Sequence, residues 1–120
     1  MPRPSKPRSI CEYPEFSTFG PKGIKMNKLN KLPMSLDELE TIKLIDYLGY
    51  TQEEAAKQMN VARTTVQRIY EIARKKVSRS LIDGEVLVIE GGPVVLCEDN
   101  CEDCVGYNHH MQRQRRTRNR

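Results

Sequence analysis

Eight side chains within one short stretch carry the chemistry of nucleic-acid contact: Arg63, Thr64, Thr65, Gln67 and Arg68, then Arg74, Lys75 and Lys76. Arg and Gln can give paired hydrogen bonds to base edges in the major groove, while Thr, Lys and further Arg suit phosphates. A second set is made of sulfur. Cys97, Cys101 and Cys104 form a C-x3-C-x2-C cluster, Cys11 lies far upstream, and His109-His110 follow the cluster. Zinc takes four tetrahedral sulfur or nitrogen ligands, so three clustered thiolates need one more, and either Cys11 or His109 completes the set. An iron–sulfur cluster and plain thiols are the competing readings of the same residues. His109 and His110 read equally as surface histidines beside a polar tail.

The basic set needs a helix to hold it, and the sequence supplies one. Val66, Ile69, Ala73 and Val77 recur at helical spacing, and Arg63, Thr64, Gln67, Arg68, Glu71, Arg74 and Lys75 take the opposite side. A preceding helix opens at Gln52, where Thr51 is a good N-cap and Glu54 stands three residues on as a capping box requires. It carries Ala55, Ala56 and Met59 on its contact face and leaves Gln52, Glu53, Lys57 and Gln58 to solvent. Asn60 suits a left-handed turn and Val61 plugs the elbow. Thr51 to Ile69 therefore has the layout of a helix-turn-helix, with the N-terminal turn of the second helix entering the groove first. An ordinary solvated amphipathic hairpin is the bland alternative. Ala62 stands where Ser or Thr often caps the second helix, which leaves its start less well fixed by about 1 kcal/mol.

Upstream, Ser35 and Glu38 make another capping box, and Leu36, Leu39, Ile42, Leu44, Ile45, Tyr47 and Leu48 form an apolar stripe closed by Gly49. The spacing predicts a support helix here. Downstream, Glu85 to Glu90 reads as a strand, Gly91-Gly92-Pro93 as a turn, and Val94-Val95-Leu96 as a returning strand. Such a hairpin is marginal alone and needs a partner surface such as Ile10 to Phe19.

The run from Leu36 through Val77, with Leu-Gly-Tyr-Thr-Gln-Glu-Glu-Ala-Ala and Thr-Thr-Val-Gln-Arg-Ile-Tyr-Glu-Ile-Ala-Arg-Lys-Lys-Val, resembles region 4 of bacterial sigma factors. Met1-Pro2-Arg3-Pro4, Arg8-Ser9-Ile10-Cys11, Phe19-Gly20-Pro21-Lys22-Gly23 and Ile89-Glu90-Gly91-Gly92 resemble the small prokaryotic proteins catalogued as domain of unknown function 134, the UPF0251 type. These are predicted DNA-binding proteins with a sigma-like helix-turn-helix, and the resemblance covers residues 1 to 92. It implies DNA binding and names no target.

The expected fold is mainly α: a three-helix, sigma region 4-like domain with a small C-terminal β-hairpin and extended basic termini. The expected layout is an extended Pro-rich basic arm over 1–33, the helix-turn-helix domain over 34–84, the hairpin and cysteine cluster over 85–111, and a disordered Arg-rich tail over 112–120. Net charge is +4, and residues 112–120 hold five arginines and no acid. Arg3, Lys6 and Arg8 open the other arm, and both arms would add salt-sensitive phosphate contacts.

No apolar run approaches the ~18 residues of a membrane helix and no leader is visible, so a cytoplasmic protein with reduced cysteines is expected. No phosphate-cradling glycine loop or Ser/His/Asp set points to an enzyme. The expected function is a transcriptional regulator that binds double-stranded DNA through a recognition helix at about 63–76, and a homodimer is compatible with it because one short helix supplies few base contacts. The alternative is a metal-binding or redox-sensing accessory protein whose helical domain docks on a protein such as RNA polymerase.

Overall fold

A computed structural model describes residues 7–96. Among the described residues the fold is mixed α/β, with three α-helices and five short strands in two sheets. In chain order these are β1 (Arg8–Ile10), β2 (Thr18–Phe19), β3 (Lys31–Met34), α1 (Leu36–Thr41), α2 (Gln52–Met59), α3 (Arg63–Asp83), β4 (Val86–Ile89) and β5 (Val94–Leu96). The mainly α expectation is therefore corrected, and so is the hairpin. β4 runs parallel to β3 and antiparallel to β2, while β5 leaves it and runs parallel to β1.

The physical reason lies at Gly91-Gly92. Both have positive φ, +73° and +99°, and they lay the chain across the start of α1 instead of reversing it. Gly91 carbonyl accepts the Leu36 amide at 2.9 Å, and a side chain at Gly92 would meet Ser35 Cβ at 2.8 Å. The partners of β4 and β5 come from the N-terminal segment, which is not an extended arm over its described part. Thr18–Phe19 supplies a pairing edge, whereas Tyr13 and Phe16 stay exposed. Arg8 is buried on β1 against Asp37, at 3.7 Å, and does not project as a phosphate contact.

Local signals explain the helices. Ser35 and Glu38 close the α1 capping box, with the Ser35 amide donating to Glu38 Oε1 at 3.0 Å. The support helix does not continue as α: Ile42–Tyr47 is π-helical, and the Leu48 amide reaches back to the Lys43 carbonyl at 2.9 Å. At its end the Tyr50 amide returns to the Leu44 carbonyl, and Gly49 takes φ +80°. Leu44 is buried there, while Tyr47 points to solvent.

Two apolar clusters share α3. Leu44, Ala55, Ala56, Met59 and Val66 form one, lined by Ile45, Leu48, Tyr50 and Val61. Leu32, Met34, Ala73, Leu87 and Ile89 form the other, where α3 and α1 cover one face of the three-stranded sheet. In β3 the burial alternates, so Leu32 and Met34 face inward beside Leu87 and Ile89. One helix thus spans both clusters. At 1.5 Å per residue it is about 31 Å long, and its position is set from both ends. None of the helices among the described residues is long and apolar enough to cross a membrane.

Candidate nucleic-acid interface

The turn between α2 and α3 is built by local bonds. Thr51 Oγ1 accepts the Glu54 amide at 3.1 Å, and Glu54 Oε1 accepts the Thr51 amide at 3.0 Å. Hydrogen bonding to the Glu54 carboxylate from the Thr51 amide, first, and from the Thr51 side-chain hydroxyl, second, holds the Glu54 carboxyl below its ordinary pKa. At the other end Asn60 sits at φ 57°, ψ 47°, the only non-glycine residue with positive φ among those described. Its amide bonds the Lys57 carbonyl and the Val61 amide bonds the Ala56 carbonyl. This pair of reversed bonds ends α2 in one residue and turns Val61 onto the cluster beneath.

α3 then starts without a side-chain cap. Ala62 is extended and makes no side-chain cap bond, and among the described residues no side chain bonds the first-turn amides. Thr65 and Val66 amides both return to the Ala62 carbonyl, which leaves the Arg63 and Thr64 amides at the exposed end. Val66, Ile69 and Ala73 are buried. The spacing of 3.6 residues per turn puts Arg63, Thr64, Gln67, Arg68, Glu71, Arg74 and Lys75 within an arc of about 140° on the opposite side, and each of these is exposed.

The eight basic and polar residues expected to contact DNA do not share one state. Gln67, Arg68, Thr64 and Lys75 are exposed and carry no side-chain hydrogen bond or ion pair among the described residues. Arg63 is exposed with Glu53 Oε1 at 3.6 Å. Thr65 is half-buried. Arg74 lies over the Tyr70 ring at 5.4 Å, with Asp46 Oδ2 at 3.8 Å from its Nε. The Tyr70 hydroxyl donates to Asp46, which, with lesser help from burial and the Asp46 charge, raises the phenol pKa. Lys76 is turned away from that face: its Nζ bonds Glu38 Oε1 at 2.7 Å, with the two side chains 23% and 12% exposed. Further along, Arg79 pairs with Glu85 at 2.9 Å. Free hydrogen-bonding capacity is therefore concentrated in the first half of α3.

The expected metal ligands divide differently. Cys97, Cys101, Cys104 and His109 lie outside the described residues, as do the Arg-rich tail and Arg3 and Lys6. Cys11 is described, at the end of β1. Its amide donates to Glu40 Oε2 at 3.1 Å, and its Sγ accepts the Gln58 amide side chain at 2.9 Å. Gln58 was expected on the solvent side of α2, yet it is 5% exposed. β1 packs against α1 and α2, and a helical wheel of α2 alone carries no sign of that strand. Among the described residues no group of three His, Cys, Asp or Glu is placed to hold a metal.

Comparison with known proteins gives a family and little more. The family model described as "Protein of unknown function DUF134" matches residues 1–96. A UPF0251 protein of Desulfitobacterium hafniense is 50% identical over 115 residues, covering 96% of this chain and 91% of that protein. One from Methanococcus vannielii is 40% identical over 104 residues, covering 87% and 80%. One from Chlorobaculum tepidum is 40% identical over 110 residues, spanning 91% of this chain but 56% of its own length. No solved structure matches significantly. With most of its length matched by the family model and by such relatives, the chain belongs to the DUF134 family, the UPF0251 proteins.

Proposed function

We propose that the protein is a DNA-binding transcriptional regulator of the cytoplasm, built on a sigma region 4-like helix-turn-helix, with the first half of α3 entering the major groove. The observation that carries this reading is the combination at the turn: a one-residue left-handed link at Asn60, followed by a helix whose first exposed turns present Gln67 and Arg68 without side-chain partners among the described residues. Gln and Arg are the side chains that bond adenine and guanine edges in pairs. The uncapped first turn adds amides that suit a phosphate, as helix N-termini do. Thr64 and Lys75 lie on the same face and serve the backbone of the duplex, and Arg63 and Arg74 exchange their weak carboxylate partners for phosphates. One such helix reads few bases, so two copies acting on paired half-sites fit the reading.

The experiment is recovery of genomic DNA fragments by the full chain, followed by affinity measurement on the enriched duplex. Gln67→Ala with Arg68→Ala removes the preference for that duplex and leaves weak, salt-sensitive binding. Unchanged enrichment in the double variant refutes the recognition-helix assignment.

A further inference from the structure

Beside the reading face of α3 stands a carboxylate, a group that repels phosphate. Asp46 belongs to the π-helical stretch Ile42–Tyr47, and it reaches α3 at two points. The Tyr70 hydroxyl donates to its Oδ1, and its Oδ2 is 3.8 Å from Arg74 Nε. The Arg74 guanidinium in turn lies over the Tyr70 ring, 5.4 Å from the centroid. Three side chains thus hold one another through a hydrogen bond, an ion pair and a cation–ring contact, while Arg74 and Asp46 stay 64% and 38% exposed. Arg74 comes seven residues after Gln67, close to two full turns, so it follows Gln67 along one line of α3 about 10 Å further on. A base contact by Gln67 therefore fixes where Arg74 meets the wall of the groove. Resting on the reading of α3 as the recognition helix, we propose that Asp46 is a positioning residue for specificity: it holds Arg74 ready for a phosphate in register with the bases that Gln67 and Arg68 read, and withholds it from any other.

The chemistry of the three groups supports both halves of that statement. A guanidinium has five N–H donors in a planar fork, enough to face a carboxylate on one edge and a phosphate on another. The Tyr70 hydroxyl stays on Asp46 when Arg74 turns to the duplex, so the carboxylate keeps a donor, and the ring keeps the cation over it in either state. On a duplex whose phosphate stands elsewhere, Arg74 remains on Asp46 and the pair is neutral, so α3 gains no attraction from it. Discrimination built by weakening the wrong complex needs such an opposing charge. Without Asp46, Arg74 is a free cation on a long side chain and reaches whichever phosphate is near.

The test titrates the full chain against the enriched duplex and a scrambled duplex of equal length, over a series of salt concentrations. Asp46→Asn, which keeps an oxygen for the Tyr70 hydroxyl, tightens binding to the scrambled duplex about three- to fivefold and leaves the enriched duplex within about twofold. Its affinity for the scrambled duplex also falls more steeply with salt, by about one released ion. Arg74→Ala weakens the enriched duplex about tenfold or more. Asp46→Asn added to Arg74→Ala returns about three- to fivefold of that loss, because the carboxylate is then unshielded. Without DNA, the phenol titration that disappears in Tyr70→Phe lies above the ordinary tyrosine range in the wild type and moves down towards it in Asp46→Asn. An unchanged ratio of the two affinities in Asp46→Asn, an unmoved phenol, or no recovery in the double variant overturns the proposal and leaves the reading of α3 in place. A wild type that prefers no duplex overturns that reading, and the role of Asp46 with it.

Discussion

Lys76 offers a sharp separation between holding the fold and touching a ligand. Sequence spacing groups it with Arg74 and Lys75, but it makes a 2.7 Å ion pair with Glu38 in which the side chains are 23% and 12% exposed. Exposed pairs contribute up to about 1 kcal/mol, and breaking a fully buried pair from one side costs about 3–5 kcal/mol. The Lys76–Glu38 pair lies between, so Lys76→Met should destabilise by about 2 kcal/mol. For a domain of this size each kcal/mol moves the melting temperature by about 4–8 °C, which gives a fall of about 8–16 °C. Glu38→Gln in the Lys76→Met background should return part of that loss, because the remaining uncompensated carboxylate is removed. Arg68→Ala changes an exposed side chain that has no partner among the described residues and should leave stability within about 0.5 kcal/mol. On the enriched duplex it should weaken binding by about 1–3 kcal/mol, roughly 5- to 150-fold.

Thermal melts followed by circular dichroism and anisotropy titrations at two salt concentrations read both quantities. Lys76→Met should bind DNA near wild-type strength well below its melting temperature. A Lys76→Met protein with an unchanged melting temperature and an affinity loss equal to that of Arg68→Ala would refute the division of α3 into a reading half and a holding half.

Three smaller perturbations test the local geometry. Asn60→Ala should cost about 1 kcal/mol, because its Cβ is disfavoured at φ 57°, whereas Asn60→Gly should stay within about 1 kcal/mol of wild type; equal urea midpoints for Ala and Asn would contradict the left-handed link. Ala62→Ser should supply the missing cap of α3 and raise stability by about 1 kcal/mol in the same titration, and a neutral result would mean the first-turn amides already have partners. Gly92→Ala should lower the melting temperature by the equivalent of at least about 1–2 kcal/mol, since φ is +99° and the new Cβ would stand 2.8 Å from Ser35 Cβ; tolerance would mean the link between β4 and β5 does not lie against α1.

The parts of this molecule that sequence reasoning reached are those whose partners are neighbours in the chain. Thr51 with Glu54, Ser35 with Glu38, and Ala56 with Val61 each close within a few residues, so residue type and spacing specify them. The Val86–Ile89 strand was legible as a β-branched run, but nothing within it names its partners, which are Lys31–Met34 and Thr18–Phe19. Lys31-Leu32-Pro33-Met34 does alternate with period two. Pro33 interrupts the residue pattern that marks a strand, although a proline is at home on an edge strand such as β3. Gln58 and Lys76 show the same limit from another side. A helical wheel assigns faces only with respect to the helices it knows, and both residues were claimed by elements the wheel did not include. Arg8 differs again, since a buried arginine has no local mark apart from its distant Asp37.

The pairing of β1 with β5 also sets when the molecule can be finished. A chain emerging from the ribosome exposes Arg8–Ile10 before every other described element, yet its partner, Val94–Leu96, comes last among them. α1, α2 and the turn at Asn60 rest on contacts close in sequence and can form as soon as they emerge. Closing the first strand onto the last joins the most distant segments of the fold, and such contacts form slowly. Until then one edge of β1 keeps open backbone groups and Ile10 lacks its neighbour, which is the kind of edge that invites pairing with another chain. Truncation after Ile89 should therefore leave a product whose helices are formed and whose first strand is bare, more prone to self-association than the complete protein.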